Sequence, residues 1–465
     1  MNTHFVIIGN GAAGYRAAKA LRRADADAQV SIFSDERYPF YLRRQLGDYL
    51  SGSLSLEEVI FQSRNAYRRE RIDLFLMTRI TGLDPAEHRV TFASGPPLRY
   101  DRLLLATGTR PVLPPIPGRG LTGVATFDTL TEASALRSSL RTVERAVILR
   151  EGLVGLSLAE SLVARDVAVT QLMPGDRFWP EMLDETASRR IETVLEDQGI
   201  RLVRGATPRR ITGADGRCDG VELTDGQSVP ADLVACGCRR QPAVDLAEDA
   251  GLEVGLGVRI DDAYRTSSPD IWAAGDVTEP SAAPLAGEPA VFCWQRAWAQ
   301  GERAADAMLD RPTDPPREAV RLRTNVFGHD VTVIGQGHLP ADDGVDAETR
   351  HRPPDIYRRL VYREGRLVGA VVLGTGETVP ELNALVMEGA GREAVAAALA
   401  LPEEADADAP ARVPSTFARH CPICAAELVI HRGTPAGTVL QCPACNTDLV
   451  VRWDGQGGWV EIDRP

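Results

Sequence analysis

Apolar and polar positions along the first half of the chain predict two copies of a strand–helix–strand unit. The first unit is predicted at residues 4–9, 12–23 and 29–33. The second unit is predicted at residues 146–149, 153–164 and 167–173. Strands that are joined through a helix pair in parallel. The pattern therefore predicts an α/β fold with two nucleotide-binding units, the second nested after the first.

The last third of the chain follows a different pattern. Residues 320–372 alternate apolar and polar side chains, which is typical of an antiparallel sheet, and residues 380–399 have helical spacing. Residues 401–415, LPEEADADAPARVPS, are acidic and rich in proline and alanine, as flexible linkers are. We therefore expect a C-terminal α+β domain, a linker and a short tail.

Composition excludes several classes of protein. The chain has 465 residues, 44% hydrophobic and 25% charged, as in globular proteins of more than one domain. Its net charge of −13 argues against nucleic-acid binding, because that affinity depends on neutralising phosphates. No apolar run reaches the roughly 18 residues that a membrane span needs. The first residues, MNTHFVIIG, enter a predicted strand at once, so we expect no signal peptide, no membrane contact and a cytoplasmic location.

The turn of the first unit has the spacing of a dinucleotide-binding motif. Gly9, Gly11 and Gly14 follow a strand and open a helix, in the order G-x-G-x-x-G. Such glycines permit a tight turn, a close approach of the backbone to a diphosphate, and close packing of helix on strand. Asp35 lies 21 residues after Gly14 at the end of the next strand, where a carboxylate can bind ribose hydroxyls, and Glu36 is the next candidate.

Four motifs in order resemble one family. VIIGNGAAG at 6–14, LLLATGTRP at 103–111, TSSPDIWAAGDV at 266–277 and CWQRAWAQGERAA at 293–305 resemble the FAD-dependent pyridine nucleotide oxidoreductases. The branch is similar to rubredoxin and ferredoxin reductases and to the flavoprotein part of assimilatory nitrite reductase. The resemblance implies an enzyme that binds FAD and exchanges electrons with a small electron-transfer protein or a small-molecule substrate, and it implies a possible homodimer.

The resemblance also implies which residues contact the cofactors. Thr107 and Gly108 are placed where the chain crosses between domains, Asp276 at the ribityl chain of FAD, and Trp294 near the isoalloxazine ring. Arg43, Asp48 and Trp294 are flavin-proximal candidates for catalysis. The predicted cofactor-binding residues are Gly9, Gly11, Ala12, Ala13, Gly14, Asp35, Glu36, Arg43, Thr107, Gly108, Gly152, Gly155, Gly275, Asp276 and Trp294.

Domain boundaries follow from the same resemblance. Two nested Rossmann-like domains are expected for FAD and NAD(P), followed by an α+β domain at a possible dimer interface, a linker and a zinc ribbon. The predicted FAD domain comprises residues 1–112 and 237–317, and the NAD(P)-like domain comprises residues 113–236. The α+β domain is predicted at 318–398, the linker at 399–418 and the zinc ribbon at 419–465.

The turn of the second unit departs from the family. Arg150 replaces the first glycine, and Glu151 follows it. Ser157 and Asp48 stand where relatives often have a glutamate and a lysine that pair near the flavin and nicotinamide. Met173 falls where an acid would bind the NAD ribose, and Asp176 lies farther along, in the turn. Gly152 and Gly155 remain, so we expect the fold to be kept while diphosphate binding is weakened.

The electron donor therefore stays open. NAD(P)H is the default donor, and the alternatives are another hydride donor, reduction by a partner protein, or a flavin with little turnover. Residues 38–50, YPFYLRRQLGDYL, contain no cysteine, so we expect no dithiol relay beside the flavin. A second hypothesis is a flavin-bearing interaction or carrier protein with a decayed NAD site.

The tail has the cysteine spacing of a metal site. C-P-I-C and C-P-A-C are separated by seventeen residues and supply Cys421, Cys424, Cys442 and Cys445. Four thiolates suit Zn²⁺, which small ribbons need in order to fold, and a zinc ribbon that docks a partner is the expectation. The alternative is a rubredoxin-like iron site fused to its own reductase, although the usual glycine after each cysteine pair is missing.

Two cysteines elsewhere lie close together in sequence. Cys236 and Cys238 flank Gly237 at the end of a predicted strand. Because pairing across two residues would strain an extended strand, we expect two thiols here.

Overall fold

The computed structural model describes residues 2–236, 239–280, 294–313, 320–340, 344–352, 356–374, 379–399, 416–421, 427–431, 434–442, 448–453 and 458–462. Cys424 and Cys445 lie outside these residues. The elements up to the first inter-domain crossing are β1 (His4–Ile8), α1 (Ala12–Ala24), β2 (Gln29–Phe33), a 3-10 helix (Arg43–Gln45), α2 (Leu46–Ser51), α3 (Leu56–Val59), α4 (Arg64–Arg69), β3 (Ile72–Phe75), β4 (Ile80–Asp84), β5 (Arg89–Phe92), β6 (Leu98–Arg99), β7 (Arg102–Leu105) and β8 (Thr109–Val112).

The second unit follows in the same order and leads back to the first sheet. Its elements are β9 (Val124–Thr126), α5 (Leu130–Ser139), a 3-10 helix (Leu140–Thr142), β10 (Arg145–Ile148), α6 (Leu153–Val163), β11 (Ala168–Leu172), α7 (Glu185–Asp197), β12 (Arg201–Val203), β13 (Pro208–Ala214), β14 (Arg217–Leu223), β15 (Ser228–Pro230), β16 (Leu233–Cys236), β17 (Arg239–Pro242), α8 (Asp245–Asp249), β18 (Val258–Ile260), β19 (Ile271–Ala273), β20 (Thr278–Pro280) and α9 (Trp294–Met308).

The remaining elements form the C-terminal third. They are β21 (Val320–Val326), β22 (His329–Gly335), β23 (Val345–Arg352), β24 (Ile356–Arg363), β25 (Arg366–Leu373), α10 (Val379–Glu388), α11 (Arg392–Ala398), β26 (Thr416–His420), β27 (Glu427–His431), β28 (Val439–Gln441), β29 (Asp448–Trp453) and β30 (Gly458–Ile462). Among all described residues, no helix combines the length and apolar character that crossing a bilayer requires.

Two parallel five-stranded sheets have the same internal plan. The first has the order β19-β7-β1-β2-β3 and the second the order β12-β11-β10-β16-β9. The central strand of each sheet, β1 or β10, opens the strand–helix–strand unit, and in the second sheet the edge strand β9 precedes it in the chain. Each sheet also inserts a three-stranded antiparallel meander, β4–β6 or β13–β15, before the strand that pairs on the other side of the central strand, β7 or β16. The predicted α/β class with two nested Rossmann-like units is confirmed.

The first sheet is covered by helices that pack very closely. Five of the eight buried residues of α1 are alanine or glycine, and a Cβ built at Gly301 of α9 would overlap the carbonyl oxygen of Ala13. Larger side chains would separate the two helices and lift α1 from the end of β1. The small-residue face of α1 therefore fixes where the helix begins relative to the sheet.

The C-terminal sheet packs against the second unit. It is antiparallel, with the order β21-β22-β25-β24-β23, as the alternating pattern predicted. Tyr357 on β24 donates a hydrogen bond of 2.6 Å to Asp184, which also caps α7. The backbone N–H of Phe327, in the β21–β22 turn, donates to the Glu160 carboxylate on α6. These two bonds and an apolar cluster that both parts share place the sheet beside α6.

Candidate flavin and nucleotide sites

A single large cavity brings both glycine turns together. Its volume is about 2970 Å³, and its lining includes the first turn at Gly9–Ala13 and the second at Arg150–Val154. Of the residues predicted to bind cofactors, all but Gly14 and Gly155 line it. Those two glycines are the third of each motif, and they contact the preceding strand instead.

At the first turn, each of the three glycines is required for a different structural reason. Gly9 has φ of +111°, and a Cβ there would overlap the carbonyl oxygen of Ala106. A Cβ at Gly14 would overlap the carbonyl oxygen of Gly9. A Cβ at Gly11 would meet no described atom within 4 Å, because this position faces the cavity. The turn thus offers open backbone at the start of α1, as a diphosphate requires.

Asn10 supplies a donor beside this opening. Its Oδ1 accepts a hydrogen bond of 2.9 Å from the buried Tyr67 hydroxyl. Its Nδ2 is buried, and no described residue accepts from it. A buried donor without a protein acceptor at the edge of a cavity fits a ligand oxygen. Together with the open Gly11 position, this makes the first turn fit for the diphosphate of FAD.

The two acids predicted at the end of β2, Asp35 and Glu36, lie in different surroundings. Asp35 is exposed and lines the cavity. Glu36 accepts hydrogen bonds from the Tyr41 hydroxyl at 2.6 Å and from Arg43 at 2.5 Å. Burial works to lower the pKa of Arg43, but Tyr41, Glu36 and Asp128 outweigh it and raise that pKa, so the guanidinium stays charged.

Asp128 ties this end to the second unit. It is buried, and it accepts from Arg43 at 3.1 Å through Oδ2 and from Arg240 through Oδ1. Arg240 also donates to the Thr109 hydroxyl at 2.7 Å. Asp128 and Arg240 have no signal in sequence, because Asp128 follows β9, Arg240 lies in β17, and only folding brings them together.

Thr107 and Gly108 lie between β7 of the first sheet and β8, where the chain leaves the first unit. The hydroxyl of Thr107 donates to the carbonyl of Ala243 at 2.9 Å, and the N–H of Ala243 donates to the carbonyl of Gly108 at 2.9 Å. Beyond them, β8 and β17 form a two-stranded antiparallel ribbon, so the outgoing and returning crossings are paired.

The Ala-Gly-Asp turn is held by a glutamine that the sequence analysis missed. The N–H of Gly275, which has φ of +85°, donates to the buried side chain of Gln300 at 2.8 Å. This bond fixes the turn against α9 and leaves Asp276 on the cavity wall. At the start of α9 the Trp294 ring stacks on Trp298 with centroids 4.9 Å apart. Hydrophobic periodicity does not single out Gln300, because it occupies a buried position of α9 at the same helical spacing as the apolar residues around it.

The second turn keeps its packing but changes its backbone. A Cβ at Gly155 would lie 2.7 Å from the carbonyl oxygen of Arg150, just as Gly14 packs on Gly9. The left-handed conformation, however, belongs to Gly152 with φ of +127°, and Arg150 does not adopt it. Any residue with a Cβ disfavours positive φ, so the left-handed residue has moved from the first glycine position of the motif to the second.

The side chains at this turn also differ from those at the first. Arg150 leaves the turn and pairs with Glu181 at 3.2 Å, where both side chains are exposed. Glu151 is only 7% exposed, and no described residue donates to its Oε2. Burial raises the pKa of Glu151, its own backbone N–H lowers it, and Glu181 raises it further.

Matches to known proteins cover most of this architecture. Residues 3–301 match the family described as pyridine nucleotide-disulphide oxidoreductase. The chain belongs to this family.

Among the relatives, the biphenyl dioxygenase system ferredoxin–NAD(+) reductase component of Paraburkholderia xenovorans is 33% identical over 76% of this chain and 86% of that protein. The nitrite reductase [NAD(P)H] of Bacillus subtilis is 28% identical over 82% of this chain and 47% of that protein. This chain therefore spans about half the length of that nitrite reductase.

Among solved structures, the NAD-dependent persulfide reductase of A. fulgidus is 26% identical, with a TM-score of 0.79 over 86% of this chain and 80% of that one. The ferredoxin reductase of the CYP199A2 system from Rhodopseudomonas palustris is 25% identical, with a TM-score of 0.74 over 80% of this chain and 91% of that one. Membership of the pyridine nucleotide oxidoreductases confirms the predicted FAD-dependent oxidoreductase and the predicted branch.

The lysine–glutamate pair of some pyridine nucleotide oxidoreductases has no counterpart here. Asp48 and Ser157 line the cavity on facing helices, and a Cβ at Gly47 would overlap the Ser157 hydroxyl oxygen. Partial burial raises the pKa of Asp48, while Arg44 lowers it. Burial also raises the pKa of Glu160, and Asp48 adds to that rise. This wall of the cavity therefore presents two carboxyl groups, a hydroxyl and the guanidinium of Arg44.

The expectation that Met173 lies where an acid would bind the NAD ribose is wrong. Met173 follows β11 and is fully buried away from the cavity lining, while Asp176 is exposed in the following turn. A side chain at 173 therefore contacts the core of the second unit and does not face a nucleotide.

The cysteine tail has two equivalent hairpins. The pairs His420–Glu427 and Gln441–Asp448 close loops of equal length, and Cys421 and Cys442 are the first residue of each loop. Both cysteines are buried, and they belong to the apolar cluster of the first sheet instead of a separate core. Within the described ranges no three metal-ligating side chains cluster, and Cys424 and Cys445 fall outside those ranges.

The expectation of two thiols at the end of β16 is wrong for Cys236. This residue is buried and disulfide-bonded, and its partner lies outside the described residues. Cys236 is the last residue of β16, and Cys238 lies outside the described residues.

Proposed function

We propose that this chain is a reductase that passes electrons between FAD and a small electron-transfer protein. The observation that carries the proposal is the first turn, where the open Gly11 position and Asn10, whose buried Nδ2 has no described acceptor, line a cavity that also contains the crossing and the Ala-Gly-Asp turn. Relatives are named as ferredoxin–NAD(+) reductases, and one solved relative is a putidaredoxin reductase–putidaredoxin complex.

We assign the contacts to FAD as follows. The N-terminal amides of α1, at Ala12 and Ala13, would hold the diphosphate, and Asp35 would accept from the ribose. Glu36 and Arg43 form an ion pair that would stabilise that end of the site. Asp276 would accept from the ribityl chain, and Trp294 would contact the ring. FAD itself supplies the ability to take up an electron pair and release single electrons.

A pyridine dinucleotide is the donor in this family, and the second unit is where it binds. The altered turn at Arg150–Gly152 and the missing lysine–glutamate pair support a weak use of NAD(P)H by this chain. The competing function, a flavin-bearing interaction protein without turnover, is favoured only by the same turn.

Electron transfer distinguishes these functions. Purified holoprotein is reduced anaerobically with dithionite and mixed in a stopped-flow instrument with an oxidised [2Fe–2S] ferredoxin. We expect the flavin band to recover as the iron–sulfur band bleaches. If the flavin stays reduced after mixing with every ferredoxin tested but is reoxidised by oxygen, the result would contradict the reductase function. It would favour the flavin-bearing interaction protein.

We propose that the tail binds one zinc ion through Cys421, Cys424, Cys442 and Cys445 and docks the partner. The equal hairpin loops that each start with a cysteine support this proposal. Elemental analysis should give about one zinc per chain. Iron with visible absorption from the tail would establish the rubredoxin-like alternative, and less than a tenth of an equivalent of any metal would contradict both.

The double change Cys421→Ala with Cys442→Ala tests the docking role. We expect loss of the metal and weaker partner reduction, with flavin content kept. The predicted domain boundaries, the homodimer and the cytoplasmic location remain part of this proposal. Gel filtration with light scattering tests the dimer.

A further inference from the structure

The residue after the first position of each glycine motif is an amide in the first turn and a carboxyl group in the second. Asn10 and Glu151 each stand between the first and second positions of their glycine motifs. Asn10 offers a neutral, buried donor to the cavity, whereas Glu151 places a buried carboxyl there. Resting on the proposed function, we infer that Glu151 is an internal anion that competes with the diphosphate of NAD(P)H at the start of α6 and sets the chain's discrimination against pyridine dinucleotides.

The position of Glu151 carries the first step. It directly precedes Gly152, the N-cap of α6, an eleven-residue helix whose first-turn amides attract negative charge. In the first turn this location is left open for a ligand. In the second turn the side chain of Glu151 lines the cavity while being more than nine-tenths buried. A diphosphate entering here would share the same helix end with a carboxylate.

The second step is that the charge of Glu151 is not neutralised by the neighbouring cation. Arg150 is directed to the exposed Glu181, with which it forms an ion pair of 3.2 Å. The same cavity is lined by the carboxyl groups of Asp48 and Glu160 and by the guanidinium groups of Arg44, Arg323 and Arg366. Among the described residues none donates to Oε2 of Glu151, so its carboxyl has no bonded cation at the start of α6.

The third step is that packing is preserved independently. Gly155 still fits against the Arg150 carbonyl, and Gly152 keeps the turn in its left-handed conformation. The unit can therefore lose affinity for a diphosphate without losing its fold. Glu151 is a specificity-determining residue in this scheme, and its exchange should alter binding more than stability.

The test compares charge at this position with charge elsewhere. Glu151→Gln removes the anion with little change in shape, and Glu151→Asn copies the first turn. Glu151→Asp keeps the charge. Glu144→Gln is the matched control, because Glu144 is exposed at the opposite end of β10, more than about 13 Å along the strand.

Two measurements separate binding from chemistry. Isothermal titration with NAD(+), which cannot reduce the flavin, gives a Kd, and anaerobic stopped-flow reduction by NADH and NADPH gives a Kd and a limiting rate. We expect Glu151→Gln and Glu151→Asn to bind at least about tenfold more tightly, since a like charge near a phosphate is worth that much near a protein surface. The limiting rate should stay within about twofold of the parent, because no reacting atom has changed.

The control variants and the flavin decide the outcome. Glu151→Asp and Glu144→Gln should bind as the parent does, and all variants should retain FAD and ferredoxin reduction. If Glu151→Gln and Glu151→Asn bind no more tightly than Glu144→Gln, the inference is overturned while the reductase function stands. Loss of ferredoxin reduction in the parent would instead contradict the proposed function and leave the dinucleotide comparison intact.

Discussion

The two glycine turns of this chain begin from the same strand–helix geometry and end with different capacities. In each, the third glycine of the motif packs on the carbonyl of the first position. At the first turn the left-handed residue is Gly9, and open backbone and a buried amide donor face the cavity. At the second turn the left-handed residue is Gly152, and a buried carboxyl faces the cavity. Packing and ligand binding are therefore separate requirements of the motif, carried by different positions.

Exchanging the middle glycine should separate these requirements most strongly. Gly11→Val places a branched side chain in open cavity at an ordinary φ of −81°, so the chain should fold but bind no FAD and be colourless. Gly152→Val should retain FAD and cost about 1–3 kcal/mol of stability, because Gly152 has positive φ. Absorbance and thermal unfolding measure both effects.

Gly120→Val is the matched control for Gly11→Val. Gly120 is exposed, and a Cβ there meets no described atom within 4 Å, as at Gly11. The control should stay yellow. A yellow Gly11→Val protein with normal flavin content would refute the assignment of the first turn.

The ribose position gives the next largest effect. Met173→Glu introduces the acid that relatives are expected to have, but in this chain it buries an unpaired carboxylate and should cost on the order of 3–5 kcal/mol. Met173→Leu keeps volume and polarity and should cost less than about 1.5 kcal/mol. Denaturant unfolding compares the two. A Met173→Glu protein as stable as Met173→Leu, with tighter NADH binding, would show that position 173 does face a nucleotide.

The ion pairs that connect the turns should give a smaller effect. Asp128→Asn weakens the bonds from Arg43 and Arg240 and should cost about 2–3 kcal/mol, with weaker FAD binding, because these are charged hydrogen bonds to a buried acceptor. Asp232→Asn removes a partner of the half-exposed Arg145 and is the control, which should change the unfolding temperature much less. Equal shifts in the two variants would mean that Asp128 is no more than another surface ion pair.

The smallest expected effect is the pH dependence of Glu151. Burial raises its pKa in the folded state, so the folded state binds this proton more tightly than the unfolded state does, and the associated stability is lost as pH rises. Glu151→Gln should therefore raise the unfolding temperature at neutral and higher pH. The difference should shrink as pH falls toward the ordinary glutamate pKa of about 4.3. A difference that is independent of pH would show that the carboxyl is not strained by burial.

Much of the fold could be predicted from the chain because its signals are local. Strands β1 and β2 and helices α1 and α6 begin or end within one or two residues of their predicted limits, since apolar runs, helical spacing and glycine turns act over a few residues. The antiparallel sheet of the last third was predicted for the same reason. The departures at Arg150, Glu151, Ser157 and Asp48 were also visible in sequence, because a motif fixes what each position is compared with.

Tertiary structure alone decided the contacts that join distant segments. Asp128 and Arg240 meet because β9 and β16, which precede them in the chain, pair in parallel, and Gln300 reaches Gly275 because α9 lies against the first sheet. The sequence shows that Glu151 lies in the altered second turn. It does not show that the side chain of Glu151 is buried or that Arg150 forms an ion pair with Glu181. Local patterns specify which elements form, whereas burial and charge pairing depend on neighbours supplied by other parts of the chain.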